Sequence, residues 1–409
     1  MLLYEGRLRI VQGSDAVEGD GTIKARWLPQ TKIAFIIPSI VFGFGRFDEC
    51  TVELVDRGWS CKGTIESRGY GGLRGIVDRA EGGVRSGGGP SGVRVAEVRA
   101  HVPNFLRIRG EPLARPNGNG WYNGRRRVEV APWRLTLDEL ESKPGEALKE
   151  TGGIALTHAL ACQRIDSAAF APDEVDEFIE LLDTVLSFCA GLWTGGTLAT
   201  GHDATGALVW EHWRLPWLSS YEQRRTWFPS YYVENVFETI VPAFAKASAD
   251  PVVKRVLRTC LHWYLEANAC HAGLEGSIVM ALTALELLAW DELVNRGTTT
   301  PDSFDHEAAF SKIRRYLTAK GIPFATVPTE LLAVDAFAKT EGCADGVEVL
   351  TRIRNRTVHP PKGSFKDFPF PVLEQAWRYA ICLVERSILA EVGYKGHMTE
   401  RLGWTDIVI

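Results

Sequence analysis

The residue types best suited to chemistry lie together in segment 346–361, read GVEVLTRIRNRTVHPP, with Arg354, Asn355 and His359 at its core. Arginine is always charged and offers a planar fork of donors. Histidine is the side chain that titrates near neutral pH. Such a pair suits chemistry on a phosphodiester. RNA carries its own nucleophile, the 2′-hydroxyl. A site that cuts RNA needs a base for that proton and charge for the pentavalent phosphorus. His359 is the candidate general base. Arg354 can give two hydrogen bonds to the non-bridging oxygens as charge develops, and Asn355 can orient the imidazole or the scissile phosphate. The products would be a 2′,3′-cyclic phosphate and a 5′-hydroxyl. DNA, lacking the 2′-hydroxyl, would be spared. No metal or other cofactor is required. Arg352 and Arg356 flank the core as candidate RNA contacts.

The elements around these residues must position them. The apolar period of the segment is helical, and the pair Pro360-Pro361 follows His359. A proline pushes the preceding residue out of helical geometry, so the helix should stop near Val358 and leave His359 at its exit. Residues five apart on a regular helix point roughly 140° from each other. A break there would let His359 swing back beside Arg354. A structural reading stays open: Arg354 could pair with an acid on a neighbouring helix, and His359 could be a terminal residue favoured by the macrodipole. Arg352, Arg354 and Arg356 alternate, so they cannot all share one helix face.

Arg-Asn-x-x-x-His late in a helical segment resembles the R-x4-6-H signature of HEPN domains, a helical family that includes many metal-independent, dimeric ribonucleases. The resemblance covers residues 250–403. Segment 274–290, LEGSIVMALTALELLAW, is similar to the long helix before the motif and brings Glu286 as a further candidate catalytic residue. Segment 377–396 is similar to the closing helix. The resemblance implies a homodimer or higher homo-oligomer in which two Arg-His pairs share one cleft, with RNA, tRNA among the candidates, as substrate. The layout, β-rich then helical, resembles the Apea-type HEPN proteins of anti-phage defence. That implies a phage-derived trigger as a partner. HEPN-like modules without activity exist, so a non-catalytic RNA- or protein-binding role is the alternative.

Composition bounds these readings. The chain has 409 residues, 45% hydrophobic and 24% charged, a balance that sets aside disordered and fibrous classes. Net charge is −5, but residues 1–135 hold 21 Lys and Arg against 14 Asp and Glu, whereas the rest hold 25 against 37. The basic part is nearly all arginine, which favours phosphate or carboxylate recognition. The eight cysteines form no C-x-x-C and lie in apolar contexts, as reduced thiols of a cytoplasmic protein do. Cys260, His262, Cys270 and His271 fit no zinc spacing. The start, MLLYEGRLRIV, does not read as a signal peptide. The most apolar run, residues 33–44, is too short for a bilayer and contains Pro38.

The chain reads as α+β: an N-terminal antiparallel β-rich domain, residues 1–230, then a C-terminal all-helical domain, residues 231–409. Period-two alternation at 3–10, 51–55 and 59–65 predicts strands. Strands are also predicted at 93–102, 105–109 and 153–165, with a glycine-rich loop at 69–92. That loop lacks the strand–turn–helix context of a phosphate cradle. Residues 115–127 read as a turn-rich basic stretch ending in Arg125, Arg126 and Arg127. Aromatics interleaved with arginines can stack bases and bind phosphate, or pack a strand edge with the arginines reaching outward. A helix is predicted at 172–192 and a hairpin around residues 203–206. Helical periods follow at 231–246, 251–271, 274–296, 305–320, 328–340, 346–358 and 371–392. The 274–296 helix, apolar around most of its girth, should be central in a bundle.

Overall fold

The computed structural model describes residues 1–27, 31–38, 48–67, 71–77, 92–115, 118–141, 145–222, 224–229, 235–359, 368–403 and 405–409. The fold is α+β, with an N-terminal antiparallel β-rich region and a C-terminal helical region. The chain divides into two compact units: Met1–Asp183 with Trp193–Gln223, and Thr184–Leu192 with Arg224–Ile409.

The first unit opens with a closed antiparallel barrel of strands β1 (Leu2–Gln12), β2 (Asp15–Arg26), β3 (Lys32–Ile37), β4 (Glu49–Leu54), β5 (Trp59–Ser67) and β6 (Leu73–Val77), ordered β1-β2-β3-β6-β5-β4. Alternation is the cause. In β1, Leu8 and Ile10 point inward while Arg7 and Arg9 point out, to Glu18 and Glu53. Ile23, Phe35, Val52, Leu54, Ile65 and Leu73 complete a buried core. Part of the predicted glycine-rich loop is therefore strand β6. Gly75 is required there because a Cβ would lie 2.3 Å from the Phe35 ring and 2.4 Å from the Thr64 carbonyl. The rest of that stretch lies outside the described residues, apart from residues 71, 72 and 92.

Seven further strands form one antiparallel sheet: β7 (Glu97–Pro103), β8 (Glu111–Ala114), β9 (Trp121–Val130), β10 (Trp133–Glu139), β11 (Leu156–Arg164), β12 (Thr197–His202) and β13 (Leu208–His212). Their order is β13-β12-β7-β11-β10-β9-β8. Residues 105–109, expected as strand, are irregular, although Phe105 and Ile108 are buried. Phe105 instead donates its amide to the Thr157 hydroxyl at 2.9 Å. The basic stretch before Arg127 is strand from Trp121 onward. The hairpin β12–β13 turns on Asp203, whose carboxylate accepts the amides of Thr205 and Ala207 at 2.8 and 3.0 Å. Helix α1 (Gly145–Thr151) links β10 to β11. Helix α2 (Asp176–Ala190) buries Phe178, which stacks on Trp133 of β10.

The second unit is helical: α3 (Val236–Ala247), α4 (Pro251–Ala269), α5 (Gly273–Trp290), α6 (Pro301–His306), α7 (Ala309–Ala319), α8 (Leu332–Glu341), α9 (Gly346–Val358) and α10 (Phe370–Glu391). A short hairpin, β14 (His397–Thr399) with β15 (Asp406–Val408), follows. α5 is central, packed against α4, α7, α9 and α10. Ile278, Ala281, Leu282, Leu285, Leu288 and Ala289 are buried on it. The helix expected at 305–320 is two, because the chain turns extended at Glu307 and Ala308. A buried ion pair, Arg401 with Glu385, lies beside α4, where Tyr264 donates to the same carboxylate at 2.8 Å. All eight cysteines are free thiols, and burial pushes the Cys382 thiol up to about 12. Among the described residues, no helix is long and apolar enough to cross a membrane.

Candidate functional site

The site is built on α9, which starts where local chemistry dictates. Asp345 caps it by accepting the Glu348 amide at 2.8 Å. Arg314 of α7 pairs with both Asp345 and Glu348, the latter at 3.2 Å. Val347, Val349, Leu350 and Ile353 bury one face. At the other end His359 leaves helical geometry, with φ −130° and ψ 72°, and donates its amide to the Asn355 carbonyl at 2.7 Å. The exit falls where the proline pair placed it.

Three of the candidate residues come together. The Arg354 guanidinium pairs with Glu286 of α5 and donates from Nη1 to Asn355 Oδ1 at 3.1 Å. Glu286 and Arg354 are both half-buried, 68 residues apart in the chain. The Arg354 Nε–H is buried with no partner among the described residues. Pinning by a carboxylate on one side and an amide on the other fixes the plane of the fork, while the outer Nη hydrogens remain for an anion. His359 is exposed, and its ring makes no hydrogen bond among the described residues. It joins Arg354 through the Asn355 backbone rather than by direct contact.

Arg352 and Arg356 point elsewhere. Both reach Glu341, the last residue of α8, and Arg352 also pairs with Glu348 at 2.7 Å. Glu341 is held below the usual carboxylate range chiefly by its hydrogen bond from Arg356. It was not singled out from sequence, because the helix–loop–helix geometry that brings it to α9 has no local signature. In the first unit, Arg125 and Arg127 share one face of β9. Arg126 lies opposite Leu137 and so projects to the other face. Arg125 forms a bidentate pair with Asp138 at 2.7 and 2.6 Å, and Arg127 pairs with Glu111. No group of three or more metal-binding side chains occurs among the described residues.

Chemically, the α9 exit offers a fixed guanidinium, an accompanying carboxylate and an accessible imidazole. That set can bind an anion and exchange a proton near it.

No solved structure matches the chain. It is 24% identical over 417 residues to the SPbeta prophage-derived uncharacterized protein YopA of Bacillus subtilis (strain 168), an overlap spanning 98% of this chain and 91% of that protein. Residues 91–224 match the YopA central domain and residues 250–408 the YopA C-terminal domain, so in the sheet region and in the helical region alike this chain is similar to a prophage-derived protein.

Proposed function

We propose that the chain is a metal-independent endoribonuclease of HEPN type, with Arg354, Asn355, His359 and Glu286 as its site. The observation that carries this reading is the Glu286–Arg354–Asn355 arrangement beside an accessible His359 at a helix exit. His359 takes the 2′-hydroxyl proton, the 2′-oxygen bonds to phosphorus as the P–O5′ bond breaks, and the departing 5′-oxygen takes a proton from solvent to leave as the 5′-hydroxyl. Arg354 meets the charge that builds on the non-bridging oxygens. Glu286 holds the guanidinium in plane. Two copies about a two-fold axis bring two such sets to one cleft, so activity belongs to a homodimer. The prophage origin of the YopA relative is the ground for proposing phage–host conflict as the setting. A cytoplasmic site of action and a phage-derived trigger are part of the same proposal.

The test is incubation with total tRNA and rRNA in EDTA, using protein from uninfected and from phage-infected cells. Cutting should persist in chelator, leave DNA intact and give 5′ ends that a kinase labels without prior phosphatase. Arg354→Ala and His359→Ala should each lower the rate by about 100-fold or more. RNA left whole by the wild type in both preparations, or cut by the variants as fast as by the wild type, ends the proposal.

A second reading is favoured by one observation. Arg352, Arg354 and Arg356 all carry carboxylate partners, so this end of α9 presents little free positive charge. A non-catalytic RNA- or protein-binding or dimerisation module would leave RNA whole, and what it binds would be held as well after the two substitutions. The low free charge weighs toward a protein partner.

A further inference from the structure

The seven-stranded sheet has one apolar and one polar face, and the polar face holds a cleft of 790 Å³. Small-molecule sites span roughly 300–1,000 Å³. The strand register defines its floor. One row crosses five strands as Arg127, Thr136, Ala161, Arg99 and Thr200. The middle of that row is small, a guanidinium stands toward each flank, and the row contains no acid. Neighbouring strands lie about 4.8 Å apart, so Arg127 and Arg99, three strands apart, are rooted roughly 14 Å from each other. Two arginine side chains leaning inward from that separation can meet one phosphate group above Thr136 and Ala161.

The neighbouring arginines are occupied differently. Arg125 closes on Asp138 in two short hydrogen bonds, and its side chain is mostly covered. Arg99 and Arg127 pair with Glu97 and Glu111, but their side chains are 58% and 47% exposed. Both members of the Arg127–Glu111 pair are exposed, and such pairs are weak and exchange readily. Glu97 is largely covered and also accepts from Gln163, so Arg99 keeps that partner and meets a ligand with its remaining donors. A guanidinium that gives two donors to a carboxylate keeps three. No Phe, Tyr or Trp is among the described residues lining the cleft; His101 is its one ring, and four arginines line it, which favours phosphate recognition over base stacking.

We propose that this cleft binds the phosphate groups of a nucleotide-sized ligand or of a phosphodiester chain, clamped between Arg99 and Arg127. The site is separate from the α9 exit and does not depend on the nuclease reading. The experiment uses the full chain and two probes at low ionic strength: inorganic pyrophosphate, followed by calorimetry, and a fluorescent 2′-O-methyl oligouridylate, which cannot be cut by 2′-hydroxyl attack. Binding of pyrophosphate points to a free phosphorylated molecule, and binding of the oligonucleotide alone points to a chain. Either should weaken with added salt and by about tenfold or more in the double variant Arg99→Ala, Arg127→Ala. On the wild-type protein, the bound probe should slow phenylglyoxal modification of Arg99 and Arg127, read by mass spectrometry. The proposal is overturned if neither probe binds, if the double variant binds as well as wild type, or if those two arginines are not protected. A protein that never cuts RNA leaves these outcomes readable, because both probes report binding alone.

Discussion

Two histidines with opposite surroundings show what the residue scale decides. His359 stands exposed at the end of α9. His158 is sealed on β11, edge-on to Phe105, with Nδ1 3.0 Å from the Thr157 hydroxyl and no partner for Nε2 among the described residues. Burial pulls its pKa from 6.5 down to about 3. As pH falls below about 6.5 the unfolded chain takes the proton first. The contribution of His158 is therefore complete above that pH and lost progressively toward pH 3, by about 1.4 kcal/mol per pH unit. Denaturant unfolding of His158→Leu between pH 6 and pH 4 should show a shallower fall in stability than wild type, and an identical slope would count against this account. Residue type made both histidines visible in the sequence. Position separates them: His158 lies within a strand paired on both sides and packs against Phe105, whereas His359 lies at a helix exit.

At the scale of the element, α9 is the part most legible beforehand. Its bounds, 346–358, match the expectation because the signals that set it, a helical apolar period and a proline stop, are local; the capping Asp345 is a further local signal that the structure adds. Its neighbour was not legible. Gly346 has no Cβ because one would lie 2.1 Å from Tyr379 Oη on α10. Tyr379 is buried and cannot retreat. Gly346→Ala should therefore destabilise by about 1–3 kcal/mol, despite alanine's better helix propensity. Adding Tyr379→Phe, which removes a buried hydroxyl without a partner among the described residues, should recover part of the loss. Urea melts of the single and double variants measure both. Residues 105–109 were misread as strand for the converse reason. Their alternation is present, but Phe105 spends its amide on a side chain rather than on a ladder.

For the whole molecule, the division of the chain matters more than its length. Thr184–Leu192 belongs to the helical unit although the rest of that unit begins at Arg224. Phe188 packs against Trp227, Phe244 and Tyr264, with ring centroids 4.9, 5.8 and 5.5 Å away, and its carbonyl accepts the Trp227 indole N–H at 3.1 Å. A fragment of residues 224–409 should be less stable by at least about 3 kcal/mol than the same fragment supplied with the 172–192 helix as a separate peptide. Thermal melting with and without the peptide checks this, and equal melting temperatures would refute it.

Local order determined what the sequence alone could reveal: strand alternation followed by helical period, hence the α+β class, and a histidine at a helix exit close to an arginine and an asparagine. Those features depend on neighbours a few residues away. Closure of the six-stranded barrel, the alignment of Arg99 with Arg127 across a sheet, and the arrival of Glu286 beside Arg354 were decided by tertiary structure. Alternation shows that a strand has a buried face but is silent about which strand lies next to it. A carboxylate 68 residues away finds its guanidinium only when two helices pack.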